Sequence, residues 1–280
     1  MGFAPAPLVT GAARQPLPYG LFSVLTFRPS GEARWEVGGV EFEGIPCDPV
    51  QGIGFPNCDP EGETVGLPKN LVQNGSILGD ASAFTVYGHY NCTIGSDTPS
   101  EAQDKATAHL LTHEERRVEQ AFWTGDLGND PSLEHADTVT LGGGDVSAEI
   151  GVGLLEAFIA TNYGSLGVLH VSRSLATVLL RRDVLTTSGS RLTTALGTPA
   201  VAGAGYPGSG PTGQAVAGHK EWAYVTPALF GYRSEPFTSS ATPGDLYDLR
   251  RNDAYAIAER NYLLGFDPCG VAAVLIDPAL

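Results

Sequence analysis

The stretch VEQAFWTGDLGND, Val118 to Asp130, holds the point where a helical pattern stops and a string of small polar residues begins. Phe122 and Trp123 end the apolar period, and Gly125 is placed as a C-terminal stop. Gly125 to Asp130 then reads as a phosphate loop, an active-site turn or a structural joint. A phosphate loop of the Walker kind needs a Gly-Lys-Ser/Thr ending, and no lysine follows here. Upstream, Thr98-Pro99-Ser100-Glu101 is a capping box, with Thr98 as N-cap, Pro99 at the first helical position and Glu101 at the third. Between these signals Ala102, Ala106, Leu110, Leu111, Val118, Ala121 and Phe122 recur at near-helical spacing, with Glu114, Glu115, Arg116, Arg117 and Glu119 mostly opposite. The pattern predicts one helix of about 25 residues, about 40 Å long, against a mean of about 11–12 residues in globular proteins. VEQAFWTGDLGND is therefore the far end of one long helix, and the joint is the reading retained.

Before the helix, Pro5, Pro7, Pro16 and Pro18 keep residues 1–19 extended and unpaired. Gly20 to Arg28 and Ala33 to Glu43 read as strands around a Pro29-Ser30-Gly31-Glu32 turn. Residues 44–80 carry Gly or Pro every few positions without a helical period. So long an irregular stretch suits a projecting loop better than a compact interior. Residues 81–90 return to strand character. After the joint, Asp145 is expected to cap a helix from Val146 to about Asn162, ended by Gly164. Gly167 to Val171 reads as a buried strand, and Ser172 caps a third helix to about Leu180. A turn and strand over 197–203, a glycine-rich loop from Gly203 to Gly218, and strands over 221–233, 253–266 and 270–277 complete an α+β chain.

Composition excludes several classes. The 280 residues are 42% hydrophobic and 17% charged, with 36 Gly and 20 Pro, so the chain is globular and rich in turns. Sixteen basic residues stand against 31 acidic ones, a formal charge of -15. Nucleic-acid binding needs clustered cations, and no basic run exceeds a pair. No apolar run approaches the roughly 20 residues that span a bilayer, and residues 1–20 lack the regions of a secretion signal. A soluble intracellular chain is the expectation. Cys47, Cys58, Cys92 and Cys269 contain no C-x-x-C pair, so reduced thiols are expected rather than a zinc site, with a disulfide as the alternative.

No residue set reaches the spacing that catalysis demands. His109, His113 and Glu114 run as H-L-L-T-H-E, not H-E-x-x-H, so an ordinary helix face is expected instead of a metal site. Gly203 to Gly210 resembles a phosphate cradle in composition only. Asp267-Pro268-Cys269-Gly270 reads as a turn between strands. No catalytic residue, cofactor or metal is expected.

Taken in order, these elements resemble the major capsid protein of tailed bacteriophages, the Hong Kong 97-type fold shared with encapsulin shell proteins. Glu119 to Asp126 with Gly128-Asn129 is similar to the end of that family's spine helix. Val168 to Ala176 resembles its strand-to-helix step, and Asn252 to Arg260 with Asp267-Pro268 and Ala272 to Leu275 its closing strands. The resemblance implies an N-terminal arm (1–40), an extended loop (41–95), a peripheral domain with the spine helix (96–135), an axial domain (136–245) and return strands (246–280). It implies a subunit of the icosahedral head shell, assembled in the host cytoplasm and found in the virion. Its partners would be copies of itself in pentamers and hexamers, with separate scaffolding, portal and decoration proteins. It would enclose DNA without sequence-specific binding and would not meet a membrane. Phe122, Trp123, Gly125 and Asp126 would form the joint between peripheral and axial domains. Lys69 is the lysine of the loop, with no crosslinking partner to name, and Cys47 and Cys58 are its candidate disulfide thiols. An encapsulin compartment is the alternative within the fold. A soluble metal-dependent hydrolase using His109, His113 and nearby acids is the alternative outside it.

Overall fold

The computed structural model describes residues 11–12, 14–29, 31, 34–47, 50, 77–93, 98–238, 247–248 and 253–280. The elements run in chain order as β1 (Thr26–Phe27), α1 (Trp35–Gly38), β2 (Val40–Gly44), β3 (Ile77–Ala81), β4 (Ala83–Thr93), α2 (Pro99–Thr124), β5 (Val139–Val146), α3 (Ala148–Asn162), β6 (Val168–Ser172), α4 (Arg173–Arg181), β7 (Leu185–Ser188), β8 (Arg191–Thr194), β9 (Pro199–Gly203), β10 (Glu221–Thr226), β11 (Leu229–Arg233), β12 (Phe237–Thr238), β13 (Tyr247–Asp248), β14 (Asp253–Phe266) and β15 (Ala272–Ile276). The α+β class holds.

The long helix forms as its signals dictate. Thr98 accepts from the Glu101 backbone N–H while the Glu101 side chain accepts from the Thr98 N–H, and α2 runs 26 residues to the left-handed cap Gly125. One side of α2 lies on a six-stranded sheet built around β14, which pairs with β4, β11, β12 and β13. Ala102, Ala106, Leu110 and Val118 pack there against Phe84, Val86, Ala256, Ala258 and Tyr262. The sequence-based polar face is corrected at two positions, since Glu114 and Glu119 are buried while Leu111 is half-exposed. The amphipathic template fails because α2 is covered on more than one side.

The second sheet has seven strands in the order β5-β15-β10-β6-β9-β8-β7. Its central strands bury both faces, and the two faces belong to different cores. Leu169 and Val171 of β6 and Ala223 and Val225 of β10 pack with α3 and α4. The alternate residues Val168 and Tyr224 pack with Phe122 and Trp123 at the end of α2. Strand periodicity sends neighbouring side chains to opposite faces, so one sheet serves as a wall between two cores.

Three local expectations are overturned. Gly20 to Arg28 is not a strand: Leu21–Ser23 is a turn of 3-10 helix and only Thr26–Phe27 pairs, parallel to β11. The backbone N–H groups of Leu21 and Phe22 donate instead to Glu119 and Glu115 of α2. Trp35–Gly38 is a short helix, and strand begins only at Val40. The cap of α3 is Ser147, whose Oγ accepts from Ile150 N, whereas Asp145 lies within β5 and pairs with Lys220 at 2.7 Å. Ser172, by contrast, caps α4 as expected. Val40–Gly44 and Ile77–Ala81 pair as the antiparallel ribbon β2–β3; most of residues 44–76, expected as a projecting loop, with Lys69 and Cys58, lies outside the described residues.

Candidate functional site

The end of α2 gathers segments from across the chain. A helix leaves its last carbonyls without internal partners, and here almost each one is met. Ala121 O accepts from Gly125 N at 2.8 Å and from Asn129 Nδ2 at 3.0 Å; Phe122 O accepts from Leu133 N and Trp123 O from Glu134 N. Gly125 takes φ +69°, the left-handed region where a side chain is strained. The segment 129–134 thus turns back against the helix it has just left. Ser82, between β3 and β4, exchanges hydrogen bonds with Asp130 on this returning segment.

Phe122 and Trp123 are fully buried. The Phe122 ring lies 5.5 Å from that of His170 and 6.2 Å from Phe266, which belong to different sheets. Trp123 sits between Tyr206 at 4.8 Å and Tyr224 at 4.7 Å. Asp126 stays on the surface and binds Arg117 at 3.0 Å. Of the four residues named from the sequence, two are buried rings, one is a backbone cap and one forms a surface ion pair.

Three buried groups take roles that the sequence did not reveal. Glu119 is 1% exposed. Its Oε1 accepts from Leu21 N at 3.0 Å and its Oε2 from Gly205 N at 2.8 Å, so one carboxyl holds the segment before β1 and the glycine-rich loop to the helix. Gly205 is required by close approach, because a Cβ there would collide with the Arg116 carbonyl of α2. The loop's N–H is consumed by a carboxylate of the chain itself, which removes the resemblance to a phosphate cradle. Burial lifts the Glu119 carboxyl to about 7, against the backbone donations from Gly205 and Leu21 and with help from Glu115. His170 is held down to about 3 by burial. The Thr226 hydroxyl donates to Pro227 O, so it accepts from His170 Nε2–H, and His170 Nδ1 accepts from the Tyr206 hydroxyl. Finally, Glu114 and Arg260 form a buried pair at 2.9 Å linking α2 to β14.

The raised Glu119 value gives a pH prediction. The folded chain holds this proton to a higher pH than the unfolded chain does. Its contribution is fully present below about pH 4.5 and is lost as pH rises through about 7. Glu119→Gln removes that dependence, so its stability deficit against wild type should be larger at pH 5 than at pH 8, by at most about 3 kcal/mol. Urea unfolding at the two pH values measures this, and equal deficits would refute it.

His109 and His113 do not gather a ligand set with Glu114. His109 Nδ1–H donates to the His89 carbonyl, and His113 Nε2 accepts from Arg14 at 3.0 Å. Glu114 is committed to Arg260. Among the described residues no group of three His, Cys, Asp or Glu side chains is placed to hold a metal. Cys47, expected as a reduced thiol, is bonded to Cys269 in the turn between β14 and β15.

No protein-family model matches the sequence, and no curated protein matches it. Solved structures do match. A chain from Gordonia phage Cozz aligns with a TM-score of 0.56 at 14% identity, covering 98% of this chain and 91% of that one. The holo-SrpI encapsulin complex from Synechococcus elongatus PCC 7942 contributes a chain at 0.52 and 11% identity, with 99% and 94% covered. A chain from the capsid of a native GTA particle aligns at 0.52 and 12% identity, over 97% and 95%. The fold is the Hong Kong 97-like one. At these identities the likeness concerns backbone architecture, and the roles of Trp123, Glu119 and Glu114 rest on their own geometry.

Proposed function

We propose that the chain is a major capsid protein, the structural subunit that assembles into the icosahedral head shell of a tailed double-stranded DNA bacteriophage. The observation that carries this reading is the fold likeness over nearly the whole length of both chains, 98% and 91% for the Gordonia phage match. The polar groups of the interior support it as well. Glu114, Glu119 and His170 are each satisfied by partners within the fold, leaving none of them presented to a substrate.

In this reading the arm (1–40) and loop (41–95) reach neighbouring subunits. Residues 96–135 form the peripheral domain, 136–245 the axial domain, and 246–280 the return strands. Heterologous contacts repeated around rings, and between rings, close into a shell. The charge of -15 keeps a wall beside packaged DNA from adhering to it. Scaffolding, portal and decoration proteins would be separate chains, assembly would take place in the host cytoplasm, and no turnover is involved. Negative-stain microscopy of the expressed protein tests the reading. Rings or shells are expected, and a persistent monomer or dimer with scaffold protein supplied would overturn it.

The match to the encapsulin complex supports a second reading, a protein compartment. Nuclease-protected DNA in purified shells favours the phage reading, and a co-purifying protein cargo favours the compartment.

A further inference from the structure

The β2–β3 ribbon is tied to the body at both of its roots, and the two ties differ in chemistry. After β3, Ser82 N donates to Asp130 O and Asp130 N donates to Ser82 Oγ, both at 2.7 Å, which fastens that root to the segment leaving α2. After β2, Cys47 is bonded to Cys269, 222 residues away, in the turn between β14 and β15. The same root is also docked without the bond. A Cβ on Gly44 would stand 3.4 Å from Asp267 Oδ1 and 3.5 Å from Pro268 Cδ, and the Phe42 ring meets Phe230 edge-on at 4.8 Å.

Three consequences follow. Cys269 lies 222 residues after Cys47 and beyond β14, so the bond can close only after β14 has been synthesised. The surrounding contacts hold the two cysteines near each other when both are thiols. Both residues are partly exposed, so a small thiol or disulfide can reach them.

We propose that Cys47 and Cys269 form a redox-operated latch, open as a dithiol in reducing surroundings and closed by a low-molecular-weight disulfide, which sets how firmly the β2–β3 ribbon is held to the body. The chemistry is two successive thiol–disulfide exchanges. One cysteine thiolate attacks the small disulfide, forming a mixed disulfide and releasing one small thiolate. The second cysteine thiolate then attacks the protein sulfur of that mixed bond and releases the other. The protein dithiol loses two electrons and two protons, and the small disulfide becomes two thiols. This goes beyond the shell reading and does not depend on it, since both halves of the latch lie in one chain.

The test uses the full-length chain, incubated either with excess oxidised glutathione or with a phosphine reductant. Non-reducing peptide mapping of the oxidised sample should yield one cross-linked pair carrying Cys47 and Cys269. Reduction should separate that pair, lower the melting temperature by about 5–10 °C and speed amide exchange in Val40–Gly44 and residues 267–270. Because the wild-type chain is switched between states, no variant has to fold. Cys269→Ser should melt like the reduced wild type and be indifferent to glutathione, whereas Cys92→Ser should respond like wild type. Pairing through Cys58 or Cys92 would overturn the proposal. So would an oxidised and a reduced form with the same melting temperature and the same exchange.

Discussion

Trp123→Ala is expected to destabilise the chain by about 3–5 kcal/mol, the usual cost of removing a large aromatic from a close-packed core. Trp123 is 0% exposed and lies between Tyr206 and Tyr224, with ring centroids within 4.8 Å. It is where the core under α2 meets one face of the seven-stranded sheet, so the cavity would open at the contact between them. The indole Nε1 has no hydrogen-bond partner among the described residues, so the side chain acts through its apolar body. Trp123→Phe should therefore recover much of the loss. Denaturant unfolding of both variants measures the stability, and the yield of assembled shells measures the consequence for function. Normal shells at wild-type yield from Trp123→Ala would argue against the joint as an assembly element.

Glu114→Ala should cost a similar amount, about 3–5 kcal/mol, for a different reason. Arg260 Nη1 approaches both Glu114 oxygens, at 2.9 and 3.0 Å, and each side chain is about 8% exposed. Removing the carboxylate leaves a guanidinium buried without its counter-charge, and desolvation then opposes folding. The Tyr262 phenol, whose ionisation is pushed up by burial and by Glu114, supplies no replacement charge. The double substitution Glu114→Leu with Arg260→Met should restore stability to within about 1 kcal/mol of wild type, since paired buried charges contribute little beyond an apolar pair. A double-mutant cycle by urea unfolding separates the outcomes. If Glu114→Ala alone proved neutral, the pair would not be the link between α2 and β14 described here.

The sequence was most legible where structure is decided locally. Thr98 and Glu101 form their capping box with each other, and Gly125 needs nothing beyond its own backbone freedom, so both ends of α2 could be read in advance. Ser172 announced α4 in the same way. The start of the strand expected over Gly20 to Arg28 was misread because an apolar run looks alike whether its backbone joins a ladder or is held by carboxylates from elsewhere. Its true partners, Glu115 and Glu119, lie over 90 residues on. Those acids were assigned to a wet face because a helical wheel presumes one buried side, while α2 has more. The Cys47–Cys269 bond was out of reach for a related reason: spacing along the chain does not fix which cysteines meet in space. Phe122, Trp123, Gly125 and Asp126 could be named from the end of the helical pattern, whereas the chain-distant residues that surround them could not.

β14 has one further implication, for the order of events during synthesis. Among the described residues β4 finds its strand partner only in β14, with Ala83 opposite Leu263 and Thr93 opposite Asp253. β11 also pairs along β14, and the underside of α2 packs on Ala256, Ala258 and Tyr262. A ribosome therefore releases the ribbon, the long helix and the helical half of the molecule well before the strand that unites them. Long-range pairing of this kind is slow, and its unpaired edges invite aggregation in the meantime. The arrangement also acts as a length check on folding. A polypeptide broken off before residue 253 has no centre for its six-stranded sheet and cannot complete the fold of the full-length chain.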